Sequence, residues 1–350
     1  MEEKDFYLSD EILEILNSFI DLNISHKSKS TDYDFLYKVS EMMATRIQIG
    51  DRYIHEVDKP ISLEDAKSIA LSFYQDLDQE LYEKVSDVVN GNSKFEFRMY
   101  PYDRNEDFSK RDENGLPIHT RGAKVQSYKG KSVIYIPCRG TIFDVYSAVH
   151  EIAHTFDFID GDNPTRNMLG EVTPYSFQAM LKNYLLKNNI ITEKEAAEIE
   201  KEEIKSRFDD GVETFAKLKF MKIKAQKGRI EQEDINKIQS DYKLHPNQLN
   251  FIINRMIHGD NNVDCRARYM IAQLIYPKYM EDYEKDPKEA IKRLKEYFTH
   301  VKENKFEESL KTLGIEPTDE CVLQLIDISN KRIGNIQKQT IDRNTFEDIE

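Results

Sequence analysis

The sequence contains no tryptophan, only three cysteines in 350 residues, and no long apolar run. Cys138, Cys265 and Cys321 are far apart, odd in number and without Cys-x-x-Cys spacing. That argues against a disulfide framework and against a thiolate zinc site. Nothing approaches the roughly 20 consecutive apolar residues of a membrane span. The acidic opening Met1-Glu2-Glu3-Lys4-Asp5 is not followed by the apolar stretch of a cleaved signal peptide. Positive charge is in deficit too: 50 Lys and Arg stand against 64 Asp and Glu, a net charge of −14. Such a balance gives no electrostatic footprint for nucleic acid or anionic membrane. The expectation is a soluble cytoplasmic protein, unless it is exported without a cleaved leader, with neither nucleic acid nor membrane as partner.

One stretch carries recognisable chemistry: Val149-His150-Glu151-Ile152-Ala153-His154, which reads His-Glu-x-x-His. Histidines at i and i+4 project from one face of a helix. That geometry lets two imidazole nitrogens converge on one zinc ion at roughly 2.0–2.1 Å. Glu151 points into the neighbouring sector, where a carboxylate can serve as general base toward a metal-polarised water. The pentad is short enough to arise by chance, and a solvated or core-packed histidine pair produces the same string. Its surroundings favour the metal. Thr141 and Asp144 have the spacing of a capping box, and Val145, Val149, Ile152, Ala153 and Phe156 fall on one apolar helix face. The histidines stand beside that face, toward a cleft.

Around this stretch the pattern is mainly α with a small β-sheet. Residues 1–90 read as an N-terminal helical segment, with apolar stripes after Ser9, from Phe35 to Ile49, and after Ser62. The texture changes at Asn90-Gly91, so 91–350 is expected to carry the metal site, either apart from the first segment or as one continuous domain with it. Phe95 to Tyr100 alternates like a strand. Lys124 to Tyr128 and Ser132 to Ile136 look like two more, joined by Lys129-Gly130-Lys131 as a hairpin turn. An edge strand there could pair with the backbone of an extended peptide. Helices are expected over 174–187, 193–226, 231–243, 247–257, 266–281, 287–303 and 318–336, with Asp286-Pro287 a cap-plus-proline start.

A catalytic zinc takes three protein ligands and leaves one position for water. Two acids compete for the third place. Glu171 lies near the start of a second helix, after a loop rich in Gly, Asp, Asn and Pro. Asp160 stands six residues after His154, but Asp157 occupies the position where that spacing needs a glycine to turn the chain. Glu171 is favoured. Asp157, one turn beyond His154, could brace a ligand histidine.

With these residues in place the chain resembles the oligoendopeptidase F and thimet oligopeptidase group of zinc peptidases. The likeness covers about 61–325. It runs from Ile61-Ser62-Leu63-Glu64-Asp65-Ala66 through Gly140-Thr141-Ile142-Phe143-Asp144-Val145 and the histidines to Glu171, Pro174 and Ser176. His258-Gly259 and Tyr269-Met270-Ile271-Ala272 are similar to the group's transition-state loop, and Tyr297-Phe298 through Ile315 to its closing helices. Val263 replaces the loop's first tyrosine, Arg266-Ala267-Arg268 replaces aromatic neighbours, and the chain is much shorter than usual for the group. The resemblance implies a multi-helical zincin-like fold that binds one Zn2+ per chain through His150, His154 and Glu171. It further implies endopeptidase activity on short unstructured peptides, with Glu151 as general base and Tyr269 and His258 as oxyanion donors. A protease dedicated to one protein partner, and a peptide-binding protein that has lost catalysis, are the competing readings.

Overall fold

In a computed structural model, residues 7–25, 37, 39–42, 57, 59–128, 130–241, 244, 246–257 and 263–332 are described. The first elements are α1 (Asp10–Ser25), α2 (Leu63–Leu77) and α3 (Gln79–Val89). The Ser62 hydroxyl accepts from Asp65 N–H at 3.0 Å to start α2, and the Asp78 carboxylate accepts from Leu81 N–H at 3.1 Å to start α3. Both are side-chain caps satisfying a free N–H of the first turn. Of the helix expected between Phe35 and Ile49, residues 37 and 39–42 are helical and the rest lie outside the described residues.

Strands β1 (Phe95–Pro101), β2 (Lys124–Tyr128) and β3 (Lys131–Cys138) form one sheet in the order β1-β3-β2. β2 pairs antiparallel with β3 across the expected hairpin, and β1 pairs parallel to β3. Gly130 turns the hairpin at φ +79°, backbone that a side chain disfavours. The central strand is buried on both faces with a period of two. Ile134, Ile136 and Cys138 join the main core, while Val133 and Tyr135 form a small cluster with Leu116 from the loop between β1 and β2. That loop is fastened by Arg98, which donates to the Pro117 carbonyl at 3.0 Å and to Asp112 at 2.9 Å. The Tyr135 hydroxyl donates to the same carbonyl at 2.7 Å. β2 is left as an edge.

Helix α4 (Phe143–Ala153) packs against β3 and α2 and carries the His-Glu-x-x-His stretch. Its start differs from a capping box. Asp144 reaches back to accept from the N–H groups of Arg139 (3.0 Å), Gly140 (2.7 Å) and Thr141 (3.1 Å), while its own N–H goes to the Thr141 carbonyl. The turn at Gly140 points three N–H groups at one side, so the acid serves all three and no threonine cap forms. Val145, Val149, Ile152, Ala153 and Phe156 are buried as expected, and so is Ala148, each large aliphatic contributing roughly 1.5–3 kcal/mol. The Tyr74 hydroxyl of α2 donates to the Val149 carbonyl at 3.0 Å, pinning α4 one residue before His150. The apolar pattern that runs on through Phe158 does not lengthen the helix. After Ala153 the chain turns, and Phe156 stacks on Phe298 at 5.3 Å while Phe158 meets Phe95 edge-on at 5.0 Å.

The remaining elements are α5 (Pro164–Leu169), α6 (Val172–Lys187), α7 (Glu193–Lys227), α8 (Gln232–Asp241), α9 (Pro246–Ile257), α10 (Val263–Lys285), α11 (Pro287–Lys302) and α12 (Phe306–Thr312), with helix again over 319–332. α5 and α12, at six and seven residues, are too short to leave a periodic signal. α10 extends past both expected ends and holds Pro277 in its interior. One hydrophobic cluster draws side chains from Leu13 to Ile326, on both sides of residue 90. Among the described residues, no helix is long and apolar enough to cross a membrane.

Gly170 separates α5 from α6, and a Cβ there would lie 2.6 Å from the Arg166 carbonyl oxygen. That oxygen belongs to the backbone of α5, which has little room to yield. Gly170→Ala is expected to destabilise the protein by roughly 1–3 kcal/mol, the usual range for overpacking, measured as a shift in the urea midpoint against wild type.

Candidate metal centre

The centre is built where the last turn of α4 meets the first residues of α6. His150 lies within α4, and His154, just after it, keeps helical backbone (φ −58°, ψ −18°), so the i, i+4 pairing of the two rings holds. Glu171 is the residue that opens α6. Its Oε2 lies 3.2 Å from His150 Nε2 and 3.7 Å from His154 Nε2. One ligand atom from each of the three falls within 4.8 Å of the others. Asp160, the competing acid, sits at the surface 3.3 Å from Lys94 and takes no part in this group.

The donor set suits a cation. Glu171 is 1% exposed, and among the described residues no donor hydrogen-bonds its Oε2. An orphaned buried carboxylate oxygen facing two imidazole nitrogens is costly unless an ion completes it. Two imidazoles and one carboxylate form a set that zinc takes with a fourth position open. Burial opposes the charge on Glu171, yet the adjoining histidines prevail and hold its carboxyl at about 2. For His150, burial is outweighed by Glu171 and Glu151, which raise it to about 9. For His154, burial wins and takes it down to about 3. A ligating imidazole must be unprotonated, so a metal ion here competes with the proton on His150.

Glu151 is 7% exposed, and its carboxyl feels the charges of His150 and Glu171. Burial pushes its carboxyl up to about 7, against the pull of His150, the Val125 backbone N–H and Arg268. Val125 belongs to β2, so the glutamate lies against the edge of the sheet.

An aromatic chain continues outward from His150. Tyr175 of α6 meets the His150 ring edge-on at 5.6 Å, and Tyr269 of α10 meets Tyr175 edge-on at 6.4 Å. Gln273, also of α10, donates to the Tyr175 hydroxyl at 3.2 Å. Tyr269 is thus one ring away from the histidine pair. His258 lies outside the described residues. Asp157 is fully buried, but its partners are Thr173 Oγ1, donating at 2.9 Å, and Arg166 Nε at 3.5 Å. Burial raises its carboxyl to about 6. It therefore ties the loop after His154 to the first turn of α6. His154 Nδ1 has no hydrogen-bond partner among the described residues.

Two residues of the site escaped the sequence reading. Tyr175 stands four positions after Glu171, a spacing that places both on one helix face. Arg268, whose Nε is 3.3 Å from Glu171 Oε1, is the second of two arginines ahead of the apolar run Met270-Ile271-Ala272. Neither signal reveals a partner on another helix.

No protein family matches the chain in sequence, and no curated protein does. In structure it is similar to a protein described as a candidate peptidase from Chlamydophila abortus, with a TM-score of 0.56 and 13% identity over 93% of this chain and 55% of that one. It is also similar to a candidate oligoendopeptidase F from Bacillus anthracis, with a TM-score of 0.54 and 12% identity over 95% and 57% of the two chains. The chain spans little more than half the length of either protein. At such identity the likeness is one of fold: the chain shares the mainly α architecture of these proteins.

Proposed function

We propose that the protein is a zinc-dependent endopeptidase of the oligoendopeptidase F and thimet oligopeptidase type, acting on short unstructured peptides. One observation carries this: Glu171 Oε2, buried and with no hydrogen-bond donor among the described residues, faces the Nε2 atoms of His150 and His154. These three residues would hold the ion. Bound there, zinc supplies Lewis acidity and lowers the pKa of a coordinated water to about 7. Glu151 takes the proton of the attacking water and returns it to the leaving amine. Its place beside β2 suits a peptide that adds to the sheet edge, since an added strand would run past the same carboxylate. Tyr269 and His258 are the proposed donors to the developing oxyanion. The partner is thus an extended peptide, not nucleic acid or membrane.

Metal analysis of purified wild type and Glu151→Gln should find about one zinc per chain in both, with quenched fluorescent peptides cleaved by wild type alone. A wild-type protein without zinc would overturn the reading. Tyr269→Phe should lower kcat by roughly 10²–10³-fold with little change in KM, because the lost donor acts in the transition state. Ionised Glu151 is the active form, so kcat/KM should fall as the pH drops. The midpoint is expected no higher than about 7, the value that burial sets before a bound dication pulls it down. Activity that rises on acidification through that range would assign Glu151 as an acid instead.

A further inference from the structure

The two oxygens of Glu171 have different neighbours. Oε2 faces the histidines, and Oε1 lies 3.3 Å from the Nε of Arg268. Arg268 stands near the start of α10, and its guanidinium centre lies 5.1 Å from the centroid of the Tyr269 ring. The side chain is 36% exposed as a whole, and its buried Nε meets Oε1 as an ion pair, not as an aligned hydrogen bond. A carboxylate can rotate about its last bond and present either oxygen, or both. A guanidinium charge 3.3 Å from one oxygen opposes that rotation and favours keeping the other toward the imidazoles.

We propose that Arg268 is a positioning residue for the metal: it holds Glu171 by Oε1 so that Oε2 alone is presented to the ion. The inference rests on the zinc reading above. It follows that the centre is assembled from three helices rather than two. α4 supplies the histidines, α6 the glutamate, and α10 the cation that orients the glutamate. Because Arg268 precedes Tyr269 directly, docking α10 sets the ligand geometry and brings the tyrosine to the site in one movement. A lysine in its place keeps the charge but loses the planar fork that meets a carboxylate in a defined direction.

The test is zinc affinity, measured by chelator competition on full-length wild type, Arg268→Met and Arg268→Lys, with the visible spectrum of the cobalt-substituted proteins as a second readout. Arg268→Met should bind zinc roughly 10–100-fold more weakly, as for removal of other groups that orient a ligand, with an altered cobalt spectrum. Its peptide cleavage should be low at limiting zinc and recover at saturating zinc. Arg268→Lys should fall between the two, and it carries the test alone if Arg268→Met does not fold; lysine affinity equal to wild type then overturns the proposal. Arg268→Met affinity within about twofold of wild type, with an unchanged spectrum, would reduce the contact to an ordinary helix-to-helix ion pair. Normal zinc binding with activity that excess zinc does not restore would move Arg268 from positioning to the reaction itself. Either result overturns this inference and leaves the peptidase reading standing, whereas a wild type that takes up no zinc overturns both.

Discussion

A buried carboxylate that must keep its charge is the constraint on which the centre depends. Glu171 is 1% exposed, and moving an ionised carboxyl into such surroundings costs several kcal/mol unless partners replace the lost water. The fold supplies them from two directions. His150 and His154 face one oxygen, and Arg268 faces the other. No single helix could do this, because a residue at the head of α6 has its own turn behind it and open space ahead. The space ahead is filled by the end of α4 and the start of α10.

That arrangement requires three helices to meet at one point, and the packing around α4 shows how they are held. The helix lies between β3, α2 and α6, with Tyr74 bonded to the Val149 carbonyl and Phe156 stacked on Phe298. Gly170 lets α5 run almost directly into α6. Asp157 fastens the loop after His154 to Thr173, two residues past Glu171. The candidate metal-binding residues thus sit on or beside packed helices, while the long loop between β1 and β2 is kept to the far side of the sheet by Arg98 and Tyr135.

The electrostatics of the centre explain why its acids divide into two kinds. Glu171 and Glu151 are both buried, yet burial is overcome in Glu171 by the two imidazoles and prevails in Glu151, which has one histidine beside it and an amide N–H for company. One acid is therefore held ionised, and the other has its carboxyl raised toward neutral pH. Separation of two carboxyls by environment rather than residue type is the usual way in which a site assigns acid, base and ligand roles.

Much of this was legible in the chain, because it rests on local spacing. The i, i+4 histidines, the apolar face from Val145 to Ile152, the Gly130 hairpin and the preference for Glu171 over Asp160 all follow from helix and strand periodicity and turn chemistry, which act over a few residues. Short elements such as α5 and α12 were lost because fewer than two turns leave no period to detect. The threonine cap was wrong for a related reason: the spacing of Thr141 and Asp144 was right, but the path of the chain leaving β3 turned three N–H groups toward the acid. What only the tertiary structure decided was which distant groups meet. The parallel seat of β1 beside β3, the Val125 N–H beside Glu151, and Arg268 upon Glu171 join residues tens of positions apart, and no periodicity records such a pairing. They are fixed by how buried faces of whole helices and strands close on one another.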